Sequence, residues 1–443
     1  MVRSVLSAMH RKVEGEMMLQ SNLQRLDKDP TSWTLAWNLV FFLVIAYSAF
    51  RTLRVFFPSF SGYVSLAFLV GAFAVSFLRV LSDLFSSKTR GGVKGAGLLF
   101  LSLIMSLLIP SLLQLIFLRE SFDFLGRSSV GTTLKIAGFA VLWMLIGYEM
   151  QRAKLKNSNA VSLLLAVILT ILVFSHLDGS LIINYRLLSA GQGDVGEASH
   201  LVLGESAVIM IILSLAFARG VLRYLIAVLG VALLFSMGGR TSLLAFLLSL
   251  LSFAVINKKS VSLVLIIVVA VAAALAALLP AISELVMDDQ ALSRMFLAKG
   301  VHEEGSLLER SYQFDVGLRG LLDQVYFGDP NILIERLGGM GTYMHNLLSA
   351  WQFFGFFSFL IMGFVIIYLC RFVLINTEVF DGVVGTFVKL MFFYSVFCIL
   401  IGKYIGFNPV WLSIGLCFGR MLNAGRCGAQ TELCDENRRK PIV

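Results

Sequence analysis

Two arginines, Arg240 at a predicted membrane boundary and Arg310 in a predicted external segment, have the chemistry to hold a phosphate group. Arg240 stands in the turn Ser236-Met-Gly-Gly-Arg-Thr-Ser242, where two glycines allow close backbone approach. Arginine beside the positive end of a helix suits phosphate oxygens, and Thr241 is expected to cap the helix that follows. Arg310 and Arg186 fall in segments expected outside the membrane. The alternative for each arginine is a solvated or interfacial charge with no ligand.

His345 is the candidate general base. It ends the glycine-rich run Gly338-Gly-Met-Gly-Thr-Tyr-Met-His-Asn346, where a long polar segment meets an apolar one. With an ordinary pKa of about 6.5, histidine can accept a proton near neutral pH. Tyr343 and Asn346 beside it are candidates for substrate contacts. The alternative is a histidine at a helix start whose ring bonds only to backbone.

Two acidic residues lie within apolar segments, where a charge is costly and requires a partner. Glu205 is expected near the outer face, where it could orient a substrate sugar. Glu149 is expected near the inner face and paired with Arg152. There is no Walker-type loop, no paired-carboxylate metal spacing, no GxSxG turn and no Cys/His cluster. These absences argue against an ATPase, a metalloprotease and a serine hydrolase, and they predict neither a metal site nor a cofactor.

The composition indicates what must position these residues. Of 443 residues, 58% are apolar and only 14% are charged, with a net charge of +9 and a mean hydropathy of +0.86. An ordinary soluble domain carries about 25% charged residues. The chain has too few charges to cover a surface in water, which argues against a soluble domain, a nucleic-acid binder and a disordered protein.

The predicted fold is all-α: one polytopic membrane domain covering 1–443. A spanning helix needs about 20 mainly apolar residues, and lipid requires the backbone of each span to be hydrogen-bonded within the helix. The sequence predicts twelve spans, at 32–50, 61–78, 96–118, 130–149, 160–176, 202–218, 222–238, 241–257, 261–279, 345–370, 383–402 and 408–422. The continuous apolarity of these spans does not fit the alternating pattern of an outer-membrane barrel.

Lysine and arginine predict the orientation. Most of them fall on the cytoplasmic side when the N-terminus is inside, as the positive-inside rule requires. Arg51, Arg54, Arg119 and Arg127 count against this topology, but the opposite orientation does worse. With an even number of spans, the N-terminal segment 1–30 and the tail 423–443 are both expected in the cytoplasm. The segment 1–30 lacks a signal-peptide pattern, so the first span is expected to remain as an anchor.

Two external segments result, 177–201 and 280–344. The second is mainly acidic and is too long for a simple connection. A stripe at spacings of three and four predicts an amphipathic helix within it, at Leu307, Ser311, Phe314, Leu318, Leu321 and Val325. This helix would either cap the bundle or grip a substrate.

The combination of these motifs is more specific than its parts. The motifs are Arg240 with Leu244 four residues later, a loop with Arg310, Gly328-Asp-Pro330 and Gly339-Met-Gly341, and His345-Asn346 with Gly355 ten residues after the histidine. Together they resemble the O-antigen polymerase/ligase superfamily of bacterial envelope glycosyltransferases. The resemblance implies a GT-C-like fold with about a dozen spans, cytoplasmic termini and a large periplasmic loop.

Two activities within that superfamily fit the sequence. A polymerase (Wzy-type) joins lipid-linked repeat units, whereas a ligase transfers the finished glycan to lipid A-core. Glycines five, seven and ten residues after Arg186 favour the polymerase. The resemblance implies metal-independent, inverting transfer from an undecaprenyl-pyrophosphate-linked glycan donor to a second lipid-linked unit. Arg240, Arg310 and Arg186 would stabilise the leaving group and His345 would be the base.

The resemblance also implies a setting and partners. The chain would lie in the bacterial inner membrane with its site facing the periplasm, and would work with a flippase and a chain-length regulator but with no nucleic acid. The rival from another class is a secondary transporter or lipid-linked sugar flippase. Transporters usually contain structural repeats, and this sequence has no half-to-half similarity.

Overall fold

The structure is a computed structural model, and it describes only part of the chain. The described residues are 31–57, 62–85, 94–117, 129–177, 182–183, 196–257, 305–323, 325–330, 333 and 344–439. The predicted N-terminal segment 1–30, the predicted span 261–279 and most of the external segment 177–201 lie outside them.

The described residues form a bundle of α-helices without any strand. Helices α1 to α13 run, in chain order, over Thr31–Phe56, Gly62–Phe85, Lys94–Phe117, Ser129–Met150, Asn159–Phe174, Gly196–Phe217, Val221–Ser236, Arg240–Ile256, Gly305–Asp323, Ser349–Phe354, Phe356–Ile375, Gly382–Ile401 and Asn408–Arg439. A short 3-10 turn, Thr377–Phe380, joins α11 to α12. The all-α prediction is therefore confirmed for these parts of the chain.

Five of these helices are long and apolar enough to cross a membrane: α1, α3, α4, α11 and α12. Helices α2 and α6 each contain a shorter apolar stretch, and α5, α7 and α8 are shorter apolar helices. Large apolar side chains remain exposed along α3, α5 and α11, as expected where helices face lipid. These features are those of a helical membrane protein, and the full count of twelve spans stays a prediction.

Helices α4 and α13 approach each other closely because small residues line their contact. A Cβ at Gly415 would overlap the carbonyl of Met144, and a Cβ at Gly147 would overlap the carbonyl of Leu412. Small residues at helix crossings let backbones meet when the hydrophobic effect cannot drive association in lipid. Helix α12 packs against α6, α8 and α13, and nearly all of its side chains are buried.

Polar contacts gather at the two ends of the bundle. At one end, called the site end, Glu205 contacts Arg51 and Lys403. At the opposite end, Trp37 donates a hydrogen bond to Glu149. Each contact joins residues that the predicted topology places on the same side of the membrane. The number of spans and their orientation in the membrane stay predictions.

The predicted span 345–370 is wrong as one continuous helix. Helix α10 ends at Phe354, Gly355 adopts φ 86°, and α11 begins at Phe356. The left-handed conformation breaks the helix, and a Cβ at Gly355 would overlap the carbonyl of Tyr326. The segment 325–330 packs against this break, so the glycine serves a tertiary contact.

The turn between α7 and α8 is short, as the predicted spans 222–238 and 241–257 require, but Thr241 does not cap α8. Gly238 has φ 67° and reverses the chain within three residues. Gly239 is the residue that precedes the helix, and no side chain caps it. Because helical geometry already begins at Arg240, Thr241 lies inside the first turn.

The amphipathic helix predicted for the long external segment exists as α9, and its buried face shares Leu321 with the predicted stripe but not Ser311 or Phe314. Gln313, Gly317, Gly320 and Leu321 are buried, whereas Phe314 is 38% exposed. Gly317 allows close approach to the following segment: a Cβ at this position would lie 3.1 Å from Met344 Cγ. The predicted stripe consisted mainly of bulky apolar residues, whereas the buried face of α9 combines Leu321 with Gln313 and two glycines.

The last helix is longer than predicted. Helix α13 continues from Asn408 to Arg439, so the predicted tail 423–443 is helical through that residue.

Candidate functional site

The connection between α12 and α13, residues 402–407, lies inside the bundle at the site end. Lys403, Ile405 and Phe407 are buried within it. The amide of Ile405 donates to Ser349 Oγ at 2.8 Å, and Trp411 Nε1 donates to the Ile405 carbonyl at 2.8 Å. These bonds fix a non-helical backbone among the helices, which brings the ammonium group of Lys403 into the interior.

Helices α6 and α1 extend past the level of Glu205 and Arg51, the two side chains that form one charged group with Lys403. Glu205 lies nine residues after the first residue of α6, Gly196, and Arg51 lies five residues before the last residue of α1, Phe56. At about 1.5 Å per residue, the helices rise about 13 Å and about 7 Å past these side chains. We refer to Arg51, Glu205 and Lys403 as the charged cluster. This cluster therefore lies below the ends of α6 and α1.

Glu205 is held by two cations. Lys403 Nζ lies 3.5 Å from its Oε1, and Arg51 Nη1 lies 3.6 Å from its Oε2. One carboxylate between two cations leaves a net positive charge, and distances of this length are loose for ion pairs. Glu205 lies at the site end together with both cations, and that this end is the outer face stays a prediction.

A small cavity adjoins Glu205, between α1, α4, α6 and α13. Its lining includes Tyr47, Trp143 and Asn408. The ring of Tyr47 packs against that of Trp143 with centroids 5.3 Å apart. Trp143 Nε1 is buried and has no hydrogen-bond partner in the described part of the chain, which suits a bound water.

Arg310 joins the cluster from α9. A Cβ built at Gly402 would lie 3.5 Å from Arg310 Nη1 and 3.5 Å from Thr241 Oγ1. The end of α12, the start of α8 and the loop helix thus meet at one glycine. Arg240 is the first residue of α8, directly before Thr241, and it is half-buried. The structure therefore brings Arg310 to the helix start that carries Arg240.

His345 lies in the same place, although it does not open a helix as predicted. Helix α10 begins at Ser349, four residues later. Burial first, then the charges of Arg310 and Lys403, lower the pKa of His345 to about 4. The Gly402 carbonyl opposes this in part by accepting a hydrogen bond from the ring.

The lowered pKa changes the expectation for His345. At neutral pH the imidazole is neutral, and one ring nitrogen donates to Gly402. The other nitrogen then carries no proton, which is the form a base requires. However, an imidazole with a pKa of about 4 is a weaker base than the near-neutral one expected from the sequence.

Asn346 acts on the backbone that holds His345. Its Oδ1 accepts from the Leu348 amide at 2.9 Å, and its carbonyl accepts from Ser349 Oγ at 2.6 Å. Before it, the amide of Met344 donates to Gln352 Oε1 at 2.9 Å. The side-chain oxygen of Asn346 is thus committed to the turn, so this residue positions the histidine.

Two residues of the cluster were missed by sequence reasoning, Arg51 and Lys403. Arg51 was visible only as an exception to the positive-inside rule. Lys403 stands between two apolar spans, where a lysine is expected at the surface. Of the other predicted site residues, Arg186 and Tyr343 lie outside the described part of the chain.

The charged group at the opposite end has a structural role. Glu149 lies 3.6 Å from Arg152, which confirms the predicted pair. Trp37 Nε1 donates to the same carboxylate at 3.1 Å, and the guanidinium lies over the rings of Trp37 and Tyr148. Arg152 thus neutralises the buried acid and also packs against two rings.

Within the described residues, no three His, Cys, Asp or Glu side chains come close enough to hold a metal ion. The cluster at the site end gathers Arg310, Lys403 and Arg51 around Glu205 and beside His345, and arginine and lysine side chains are suited to contact an anion. Comparison of the chain with known protein families, with curated proteins and with solved structures finds no match in any of the three.

Proposed function

We propose that the chain is a glycosyltransferase that joins undecaprenyl-pyrophosphate-linked oligosaccharide units into O-antigen or a related surface polysaccharide. It would act at the periplasmic face of the bacterial inner membrane. The observation that carries the proposal is the meeting of Arg310, Lys403 and His345 at the buried α12–α13 connection. Cations beside a neutral imidazole suit a reaction in which an anionic group leaves while a hydroxyl loses its proton.

The cations would hold the leaving group. The pyrophosphate of the donor lies against Arg310 and Lys403, with Arg51 and Arg240 at the margin. Guanidinium groups can bind two phosphate oxygens at once, and ammonium adds a point charge. Before the donor arrives, Glu205 keeps Lys403 and Arg51 in place. Negative charge grows on the pyrophosphate as its bond to sugar breaks, and the cations stabilise it.

His345 would accept the proton. A hydroxyl of the acceptor attacks the anomeric carbon, the carbon–oxygen bond to pyrophosphate breaks, and its electron pair leaves with the pyrophosphate. The hydroxyl proton moves to the ring nitrogen that does not face Gly402, and later to water. A single displacement inverts the configuration at the anomeric carbon.

Donor binding would strengthen this base. The two cations that lower the pKa of His345 are the ones expected to meet the pyrophosphate. Once their charge is neutralised, the imidazolium form is less disfavoured and the pKa rises. The histidine therefore gains basicity only when the donor is bound.

The ligase is the alternative within the same chemistry. It would use the same donor and the same cations, with lipid A-core as the acceptor in place of a second repeat unit. The glycine spacing after Arg186 favours the polymerase.

A transporter or flippase of lipid-linked sugars is the second candidate. Gly355 separates two helical segments, and the connection 402–407 is non-helical backbone buried among helices. Secondary transporters often bind substrates at such interruptions. Transport requires a sealed bilayer, whereas glycosyl transfer also proceeds in detergent, and this difference separates the two candidates.

The test uses protein purified in detergent and given lipid-linked repeat units. We expect a ladder of polymer on a gel, retained in the presence of a chelator. His345→Ala should abolish it, and Arg310→Gln should slow it by about 2–4 kcal/mol of transition-state stabilisation. Arg371→Gln, an exposed arginine at the opposite end, is the control and should leave the ladder intact.

Three results would contradict the proposal. A full ladder from His345→Ala with none from Glu205→Gln would move the base to the acid. Loss of activity in chelator with rescue by a divalent ion would overturn the metal-independent mechanism. Transport of lipid-linked sugar in vesicles, with no transfer in detergent, would favour the flippase.

A further inference from the structure

Three aromatic side chains at the site end are exposed although the backbone around them is firmly held. Tyr326 is 65% exposed, Phe327 60% and Phe357 61%. The rings of Tyr326 and Phe357 stack with centroids 6.3 Å apart. We refer to these three residues as the aromatic shelf.

The backbone of the shelf is anchored to the bundle by four contacts. The Val325 carbonyl accepts from Trp351 Nε1 at 2.9 Å and from the Phe356 amide at 3.2 Å. The Phe327 carbonyl accepts from Gln114 Nε2 at 2.9 Å. A Cβ at Gly355 would overlap the Tyr326 carbonyl. The exposure of the rings is therefore a feature of a fixed segment.

The shelf is continuous with the lipid-facing side of α11. Phe357 belongs to the first turn of that helix, and its exposed stripe continues through Leu360, Phe364 and Ile367. These residues recur at spacings of three and four, so they occupy one face. Tyr326 stacks on the first member of this stripe. The medium that surrounds Phe364, whether lipid or water, therefore also contacts the shelf.

The length of α11 places the shelf at a particular depth. Helix α11 has 20 residues, so it is about 30 Å long, close to the thickness of the hydrocarbon core. Its first turn must then lie at the boundary between acyl chains and headgroups. Tyrosine is enriched at this boundary, because its ring is apolar and its hydroxyl is polar.

We propose that the aromatic shelf inserts into the headgroup–acyl interface of the membrane and anchors the segment 325–330 there. Helix α9 precedes this segment and carries Arg310 at its other end. The shelf thus sets the height of α9 relative to the bilayer.

The test measures depth directly and needs no substrate. Tyr326→Trp and Phe364→Trp are each reconstituted into phosphatidylcholine vesicles whose acyl chains carry bromine either near the headgroup or near the chain end. Bromine quenches tryptophan on contact. The emission of the five native tryptophans is subtracted using the unsubstituted protein in the same vesicles.

We expect the tryptophan at position 326 to lose more emission with bromine near the headgroup than with bromine near the chain end. Position 364 lies two turns after Phe357 along α11. A tryptophan there should lose more emission with bromine near the chain end than with bromine near the headgroup. If position 326 is not quenched in either vesicle while position 364 is, the shelf contacts protein or water and the proposal is wrong. Stronger quenching of position 326 by the deep bromine would also overturn the interfacial placement.

Discussion

Replacing Arg310 by glutamine should raise the pKa of His345. In the protein as it stands, burial and the charges of Arg310 and Lys403 bring this pKa from 6.5 to about 4. A difference of this size corresponds to about 3 kcal/mol between the two protonation states, less what water screens at a half-buried ring. Burial is the largest cause, so the substitution restores only part of the difference.

We expect Arg310→Gln to raise the pKa of His345 by about one pH unit, and Lys403→Gln to do the same. A nearby charge shifts a pKa by about one to three units, and a site partly open to water falls at the low end. Inorganic pyrophosphate should also raise this pKa in the unsubstituted protein, because it neutralises both cations. Arg371→Gln is the control and should change nothing, since Arg371 lies at the opposite end.

The assay is an NMR titration of histidine ring protons in detergent micelles. The chain has five histidines, and the signal that is lost in His345→Gln identifies His345. A pKa near 6.5 in the unsubstituted protein would refute the burial argument. A pKa near 4 that neither substitution nor pyrophosphate moves would refute the charged cluster and, with it, the proposed donor site.

The direction of the pH dependence follows from the same pKa. The neutral imidazole is the base, and it is the form present above the pKa. With a pKa of about 4 in the free protein, kcat/KM should stay constant as the pH falls through 6.5 and decline only near pH 4. Because the bound donor raises the pKa, kcat should decline at a higher pH than kcat/KM. A fall of kcat/KM centred on 6.5 would contradict this.

Three further predictions concern the fold. Gly355→Ala should lower stability by about 2 kcal/mol or more, because Gly355 has φ 86° and packs against the preceding loop. Gly363→Ala is the control and should not lower it, because a Cβ at position 363 would meet nothing within 4 Å. Thermal unfolding in detergent compares the two variants, and equal midpoints would contradict the close contact. Glu149→Gln should cost about 3–5 kcal/mol, because Arg152 is left buried without its carboxylate, and an unchanged midpoint would refute this. A cysteine introduced by Gly305→Cys should react in intact spheroplasts with an impermeant thiol reagent; reaction only after lysis would reverse the predicted orientation.

Apolar composition and spacing were enough to predict most helices of this protein. A membrane helix satisfies its own backbone, so its existence depends on a local run of residues. The short connections between the spans 202–218, 222–238 and 241–257 and the amphipathic helix α9 were predicted from equally local patterns. The pair Glu149–Arg152 was also predictable, because three residues separate its members on the chain.

Only the tertiary structure decided how the site is assembled and which residues belong to it. More than 150 residues separate Arg51 from Glu205 in the sequence, and more than 150 separate Glu205 from Lys403. No local pattern relates these residues. The break at Gly355 depends on a loop that packs against it, and the buried face of α9 depends on Met344. The pKa of His345 depends on burial and on charges from α9 and the α12–α13 connection. Such properties arise from distance in space, which a linear pattern does not contain.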